Sequence, residues 1–189
     1  MNQKSVIDQQ IGYIDYLGQQ YPVFMQDFWI IMPTGKDIND VKSLGMIQHN
    51  AKLGQGVVLA VTKMPGGKNF RHGRRPQVES KFEEIRKKNY PDRPSRTECF
   101  YMSLTQELAE QRKAIWGSKD REIFRCRIIP AQAKILAADM TFYNNFEDTE
   151  NEELIHNYWN GVIKDESEIE ILFDGSLYFP DWQSFETIP

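Results

Sequence analysis

Asp174-Gly175 lies between the apolar segments Glu168–Phe173 and Ser176–Phe179 and is followed by Pro180. It constrains the fold more than any other feature of the chain. An Asp-Gly pair between two strand-like runs is the strongest short-range signal for a β-hairpin, because the tight turn needs residues that tolerate positive φ. A hairpin pairs its strands antiparallel. Helical and strand patterns are interspersed along the rest of the chain, so it reads as an α+β protein.

Val6, Ile7, Ile11, Ile14 and Leu17 recur at roughly helical spacing, which predicts an amphipathic helix over residues 4 to 18. That helix is read as an extension within residues 1–25, attached to a single core over residues 26–189. Phe28–Met32 is a continuous apolar run ended by Pro33-Thr34-Gly35, the pattern of a buried strand and a turn. Asp37–Leu44 reads as a short helix, Gly56–Thr62 as a Val-rich strand, and Glu79–Asn89 as a helix. Thr97–Met102 is strand-like, and Glu122–Ile129 reads as a strand closed by Pro130. Ser103 and Gln106 have capping-box spacing for a helix through Trp116. Thr149 and Glu152 repeat it before a helix that places Tyr158 and Trp159 in its last turns and stops at Gly161.

A chain of 189 residues is long enough for one domain with a self-sufficient core. Its 40% apolar content, with 12% aromatics, is that of a globular protein. No apolar run approaches the roughly 20 residues of a membrane helix, and residues 1 to 20 lack a signal-peptide pattern, so a soluble, cytoplasmic protein is expected. Cys99 and Cys126 each fall in an apolar segment, which predicts buried, reduced thiols.

The formal net charge of -4 hides an asymmetry. From Lys63 to Arg96 there are eleven Lys or Arg against four acids, whereas from Asp139 onward thirteen acids stand against Lys164 alone. The basic block, with Lys68, Arg71, Arg74 and Arg75 in a Gly-rich loop, suits phosphate groups of a dinucleotide or a nucleic acid. It equally suits a solvated face or attraction between the two halves.

Several chemistries are excluded. Gly54-Gln-Gly56 lacks the third glycine of a dinucleotide fingerprint, and Gly66-Gly67-Lys68-Asn69 lacks the first glycine and the hydroxyl residue of a P-loop. His49, His72 and His156 are scattered and the two cysteines are far apart, so no metal-ligand spacing exists. No Gly-x-Ser-x-Gly elbow supports serine hydrolysis.

What remains is a constellation: Phe82-Glu-Glu-Ile-Arg86, the Pro94-Ser95-Arg96 turn, the Phe100-Tyr101 strand, Tyr158-Trp159, and Glu170-Ile171-Leu172. In this order it resembles a bacterial and phage family of unassigned function related to ADP-ribosyltransferases, over about residues 79 to 178. The resemblance implies a split antiparallel β-sandwich with flanking helices and a cleft for nicotinamide adenine dinucleotide (NAD). It also implies an Arg or His on the first core strand. Phe28–Met32 carries neither, and His49 is the nearby substitute.

Breaking the bond between nicotinamide and ribose builds positive charge on the sugar, as in glycoside hydrolysis. A carboxylate beside the ribose stabilises that charge or activates the nucleophile. Glu170 is the first choice for this role, with Glu168, two residues away on the same strand face, as alternative or helper. Tyr101, Phe100 or Tyr158 would stack on the nicotinamide. Arg86, Ser95 and Arg96 would hold the pyrophosphate or ribose, or else the arginines form ion pairs with Glu83 or Glu79. Ser103 is a site residue or a helix cap.

Two functions of different class follow. One is an NAD-dependent ADP-ribosyltransferase that modifies a protein or nucleic acid, as a toxin, effector or phage takeover factor. The other keeps the fold without turnover and binds nucleic acid, an ADP-ribosylated product or a host protein.

Overall fold

The Phe28–Met32 run and the Val-rich segment after Gly56 form strands in the computed structural model, which describes residues 6–16, 19–33, 47–53, 56–61, 76–116 and 121–180. The described elements run β1 (Ile11–Tyr16), β2 (Gln19–Phe24), β3 (Phe28–Pro33), β4 (Ile47–Leu53), β5 (Gly56–Val61), α1 (Pro76–Asn89), β6 (Phe100–Ser103), α2 (Gln106–Trp116), β7 (Arg121–Asp139), α3 (Met140–Thr149), α4 (Glu152–Trp159) and β8 (Ile169–Phe179). All strand pairs are antiparallel. The expectation of a mixed α+β chain therefore holds. The short helix read at residues 37 to 44 and the basic loop with Lys68, Arg71, Arg74 and Arg75 lie outside the described residues.

Six strands are ordered β4-β5-β8-β6-β3-β7, and a further β7–β8 pairing closes β8, β6, β3 and β7 into a small barrel. Its interior is filled by alternate residues of the four strands, among them Phe28 and Ile30, Phe100 and Met102, Cys126 and Ile128, and Ile169, Ile171 and Phe173. The opposite faces of β7 and β8 offer Leu136, Ala138 and Leu172 to a second core built from the helices. Helix α1 contributes Val78, Phe82 and Ile85, which lie on one face at spacings of four and three residues. Helices α3 and α4 contribute Phe142, Tyr143, Phe146, Ile155, Tyr158 and Trp159, and the Trp159 indole donates to the Phe82 carbonyl at 3.1 Å. Strand β8 is thus buried on both faces.

The sequence marked Asp174-Gly175 as a hairpin turn; it is instead the middle of β8. The partner strand β7 likewise continues through Pro130, where a stop was expected. Ile129 faces Ser176 and Lys134 faces Asp174, so β7 spends residues 130–133 opposite Gly175 alone. A bulge is a position where proline is tolerated and where glycine admits a close backbone approach. Gly175 has φ +154°, and a Cβ there would stand 2.9 Å from the Phe173 ring and 3.2 Å from Ala133 Cα. The Gly signal was real, but it marks a bend of the barrel wall.

The helix expected over residues 4 to 18 is also overturned. Residues 11–16 and 19–24 pair as the antiparallel strands β1 and β2, in register from Ile11 against Phe24 to Tyr16 against Gln19. Gly12 and the β-branched and aromatic residues of Ile11–Tyr16 weaken a helix and suit a strand. Tertiary packing then decides: Val23 is buried against Tyr178, with Ile14, Tyr21 and Ile129 around them. Both helix caps fall two residues later than the spacing suggested. Thr105 caps α2 by accepting from the Leu108 amide at 3.2 Å, and Asn151 caps α4 by accepting from Glu153 at 3.0 Å. Gly161, with φ 69°, ends α4 as expected.

Cys99 and Cys126 are buried and form no disulfide. Gly175→Ala is expected to lower stability by about 1–3 kcal/mol through overpacking against Phe173 and Ala133. Urea unfolding measures this; a loss under about 0.5 kcal/mol, as at an ordinary surface position, contradicts the bulge assignment.

Candidate functional site

The fold brings Arg96 within hydrogen-bond reach of Glu170, 74 positions away in the chain. Arg96 sits in the turn after α1 and is 3% exposed. Its backbone amide donates to Glu83 Oε1 at 2.7 Å, and Ser95 Oγ donates to Glu83 Oε2 at 3.0 Å. Arg86 Nε donates to the same oxygen at 3.0 Å, and Arg86 Nη1 donates to the Arg93 carbonyl at 3.1 Å. Glu83 therefore ties the Pro94-Ser95-Arg96 turn to α1. It lies one helical turn after Glu79, on the flank of the apolar stripe of Val78, Phe82 and Ile85, and is buried with them.

The Arg96 guanidinium is shared between two carboxylates. Nε and Nη2 donate to the two oxygens of Glu79 at 3.0 and 3.1 Å, the bidentate fork that favours Arg over Lys. Nη1 donates to Glu170 Oε1 and to the Tyr158 hydroxyl, and that hydroxyl donates to Glu170 Oε1 at 2.5 Å. The rings of Tyr143, Tyr158 and Tyr101 lie 4.4, 5.1 and 5.5 Å from the guanidinium carbon. The Tyr101 hydroxyl donates to the Arg96 carbonyl at 2.7 Å. Glu170 is itself 5% exposed, on the helix-facing side of β8 beside Leu172.

Electrostatics follow the geometry. Burial pulls the Arg96 proton affinity down, but Glu170, Tyr101, Tyr158 and Glu79 outweigh it and hold the group well above its ordinary value. Burial raises Tyr158 well above the ordinary phenol value, with Arg96 opposing and Glu170 reinforcing. Burial raises Tyr143 in the same way, reinforced by Glu79.

The residues singled out in the sequence separate into three groups. Arg96, Tyr101, Tyr158 and Glu170 meet directly, and Ser95 and Arg86 join them through Glu83. Ser103 is buried on β6, and its hydroxyl accepts from Arg112 Nη1 at 3.1 Å instead of capping α2. Glu168 and His49 stand apart. Glu168 ends the 3-10 turn Glu166–Glu168 before β8 and is half-buried, so it does not share a strand face with Glu170. His49 lies on β4 opposite Ala60, with β5 between β4 and β8. Both arginines form ion pairs, Arg86 with Glu83 and Arg96 with Glu79, and these are largely enclosed and not on a helix surface.

Sequence reasoning missed Tyr143 and Arg112 and gave Glu79 and Glu83 only a passive role. The two acids carry no local signal, because both lie beside the apolar stripe of the helix, where solvated carboxylates are ordinary. A cleft of about 470 Å³ is lined by Val6, Leu104, Leu108 and Ile169 with Glu107 and Glu166 at its rim. A second, of about 360 Å³, lies on α1 at Gln77, Ser80, Lys81 and Glu84. Neither is lined by Glu170 or Arg96. Among the described residues, no group of three or more His, Cys, Asp or Glu is placed to hold a metal ion, and no helix is long and apolar enough to cross a membrane.

The whole cluster, from Glu79 to Glu170, falls within residues 37–181, which match the family model described as protein of unknown function (DUF2441). The chain belongs to this family. No curated protein matches it. The DUF2441 match takes in α1 to α4 and strands β4 to β8, while β1 to β3 precede it.

Glu83→Ala should cost about 3–5 kcal/mol, because it leaves half-buried Arg86 and the buried Arg96 amide without their acceptor and releases the turn. Ser95→Ala should cost about 1 kcal/mol. Equal costs in thermal unfolding would show that Glu83 is not the anchor. The raised phenols predict a second outcome. The unfolded chain ionises them near pH 10 while the folded protein keeps them neutral, so their contribution is intact below about pH 10 and is lost as pH rises further. Urea midpoints between pH 8 and 11 should fall, and less steeply in Tyr143→Phe; identical slopes would contradict the assignment.

Proposed function

We propose that the protein is an ADP-ribosyltransferase-like protein that takes NAD and transfers ADP-ribose to a protein or nucleic-acid acceptor. Glu170 is the carboxylate beside the ribose. One observation carries this reading: Arg96, Tyr101, Tyr158 and Glu170, each named by the resemblance, converge on one cluster. Antiparallel sheets flanked by helices are also compatible with the split sandwich that the resemblance implies.

The chemistry follows from these residues. Both described hydrogen bonds of Glu170 end on Oε1, which leaves Oε2 to meet a ribose hydroxyl. A carboxylate there opposes the positive charge that develops on the sugar as nicotinamide departs. Arg96, released from Glu170 but held in place by Glu79, would present its freed Nη1 to a phosphate, and Tyr101 or Tyr158 would offer a ring to the nicotinamide. Because Glu170 is 5% exposed, turnover requires the layer over it to part.

The same burial favours a second reading. A carboxylate already hydrogen-bonded by Arg96 and Tyr158 gives a weaker field at a substrate, and β3 carries no Arg or His. In that reading the cluster is an internal brace, and the fold serves binding without turnover. Incubation with labelled NAD and bacterial lysate separates the two. The enzyme reading expects a labelled acceptor that Glu170→Gln reduces by at least about a hundredfold, the scale of losing a general base. No label from folded wild-type protein, together with a lowered melting temperature in Glu170→Gln, leaves the brace.

A further inference from the structure

Glu170 does not have the guanidinium of Arg96 to itself: Glu79 grips the same group at two points. A second cation lies close by. Arg112 projects from α2; its Nη1 donates to Ser103 Oγ at 3.1 Å and to the Met102 carbonyl at 3.4 Å, and its Nη2 donates to the Ile169 carbonyl. All three acceptors are neutral, and the last is the peptide oxygen immediately before Glu170.

Arg112 is half-buried, and a cation partly withdrawn from water onto neutral acceptors is costly unless an anion lies within its field. Burial lowers the proton affinity of Arg112, and Glu170, then Glu168, are the carboxylates that oppose the loss. Glu168 is half-buried next to solvent, whereas Glu170 is enclosed, so the interaction with Glu170 is the less screened. The backbone contacts add a second effect. Met102 pairs with Ile171, so Ser103 ends β6 beside the start of β8, and Arg112 ties both strand ends to α2.

We infer that Arg112 is the positioning residue of Glu170, supplying it with a counter-charge besides Arg96 and fixing, through Ser103 and the Ile169 carbonyl, the strand ends that aim the carboxylate. That Glu170 is a working carboxylate rests on the function proposed above. The charge balance does not.

The test is a double-mutant cycle on the full chain, read by urea unfolding at neutral pH. With Glu170 present, Arg112→Gln should lower the folding equilibrium constant by about tenfold or more. In the Glu170→Gln background, where one charge of each sign is gone, the same change should cost less than about threefold. Arg112→Lys, which keeps the charge, should fall nearer to wild type than Arg112→Gln. An equal cost in both backgrounds makes Arg112 a hydrogen-bond brace and overturns the inference, as does cancellation by Glu168→Gln in place of Glu170→Gln. Should Arg112→Gln not fold alone, the double variant with Glu170→Gln must fold; its failure also overturns the inference. Stability reads this coupling whether or not any acceptor is labelled, so its failure is distinct from failure of the transferase reading.

Discussion

Arg96 is a cation with 3% of its surface exposed, and the rest of the structure is arranged around making that tolerable. Removing a guanidinium from water costs several kcal/mol unless nearly every donor finds an acceptor and an opposite charge lies close. Glu79 supplies a two-point grip, Glu170 and Tyr158 take the third nitrogen, and Tyr143 lies nearest the guanidinium of the three rings. These partners come from α1, β8, α4 and α3. The cluster can therefore form only when three helices and the central strand are already in place.

Strand β8 is the element that makes this convergence possible. One edge pairs with β6 and β5 and the other with β7, so its backbone is satisfied along nearly its whole length. Its inward residues fill the barrel, and its outward residues, Glu170 among them, enter the helical layer. A charged residue at the junction of two apolar cores is expensive. Asp139, fully buried at the end of β7, shows the alternative solution: it accepts from the amides of Thr141, Lys164 and Asp165 and from the Thr141 hydroxyl, and so fastens the start of α3 to the segment after α4. Both carboxylates are paid for by bonds that also join separate elements. Asp139 uses backbone donors and has no visible chemistry, whereas Glu170 uses side chains that could let go.

How much was legible depended on whether the signal was local. Strands β3 and β5, helix α1 and the end of α4 at Gly161 were readable, because each rests on an apolar run, a single amphipathic face or a glycine with positive φ. The N-terminal strand pair was misread because helical and alternating spacing overlap over a few residues, and burial of Val23 on Tyr178 settled the matter. In the site, the order of Arg96, Tyr101, Tyr158 and Glu170 was visible, yet Tyr143 and Arg112 carried no local mark. Their roles exist only across elements.

The sequence by itself determined a chain of interspersed helices and strands, apolar segments for its cores, and a set of charged and aromatic residues with one order along the chain. These depend on side-chain periodicity and backbone preference, which act over a few neighbours. Tertiary structure alone decided that Asp174-Gly175 is a bend inside one strand, since that depends on the four residues of β7 bulging opposite it. It alone decided that Glu170 is enclosed by Arg96 and Tyr158, because desolvation is a property of everything packed around a group and no spacing in the chain records it.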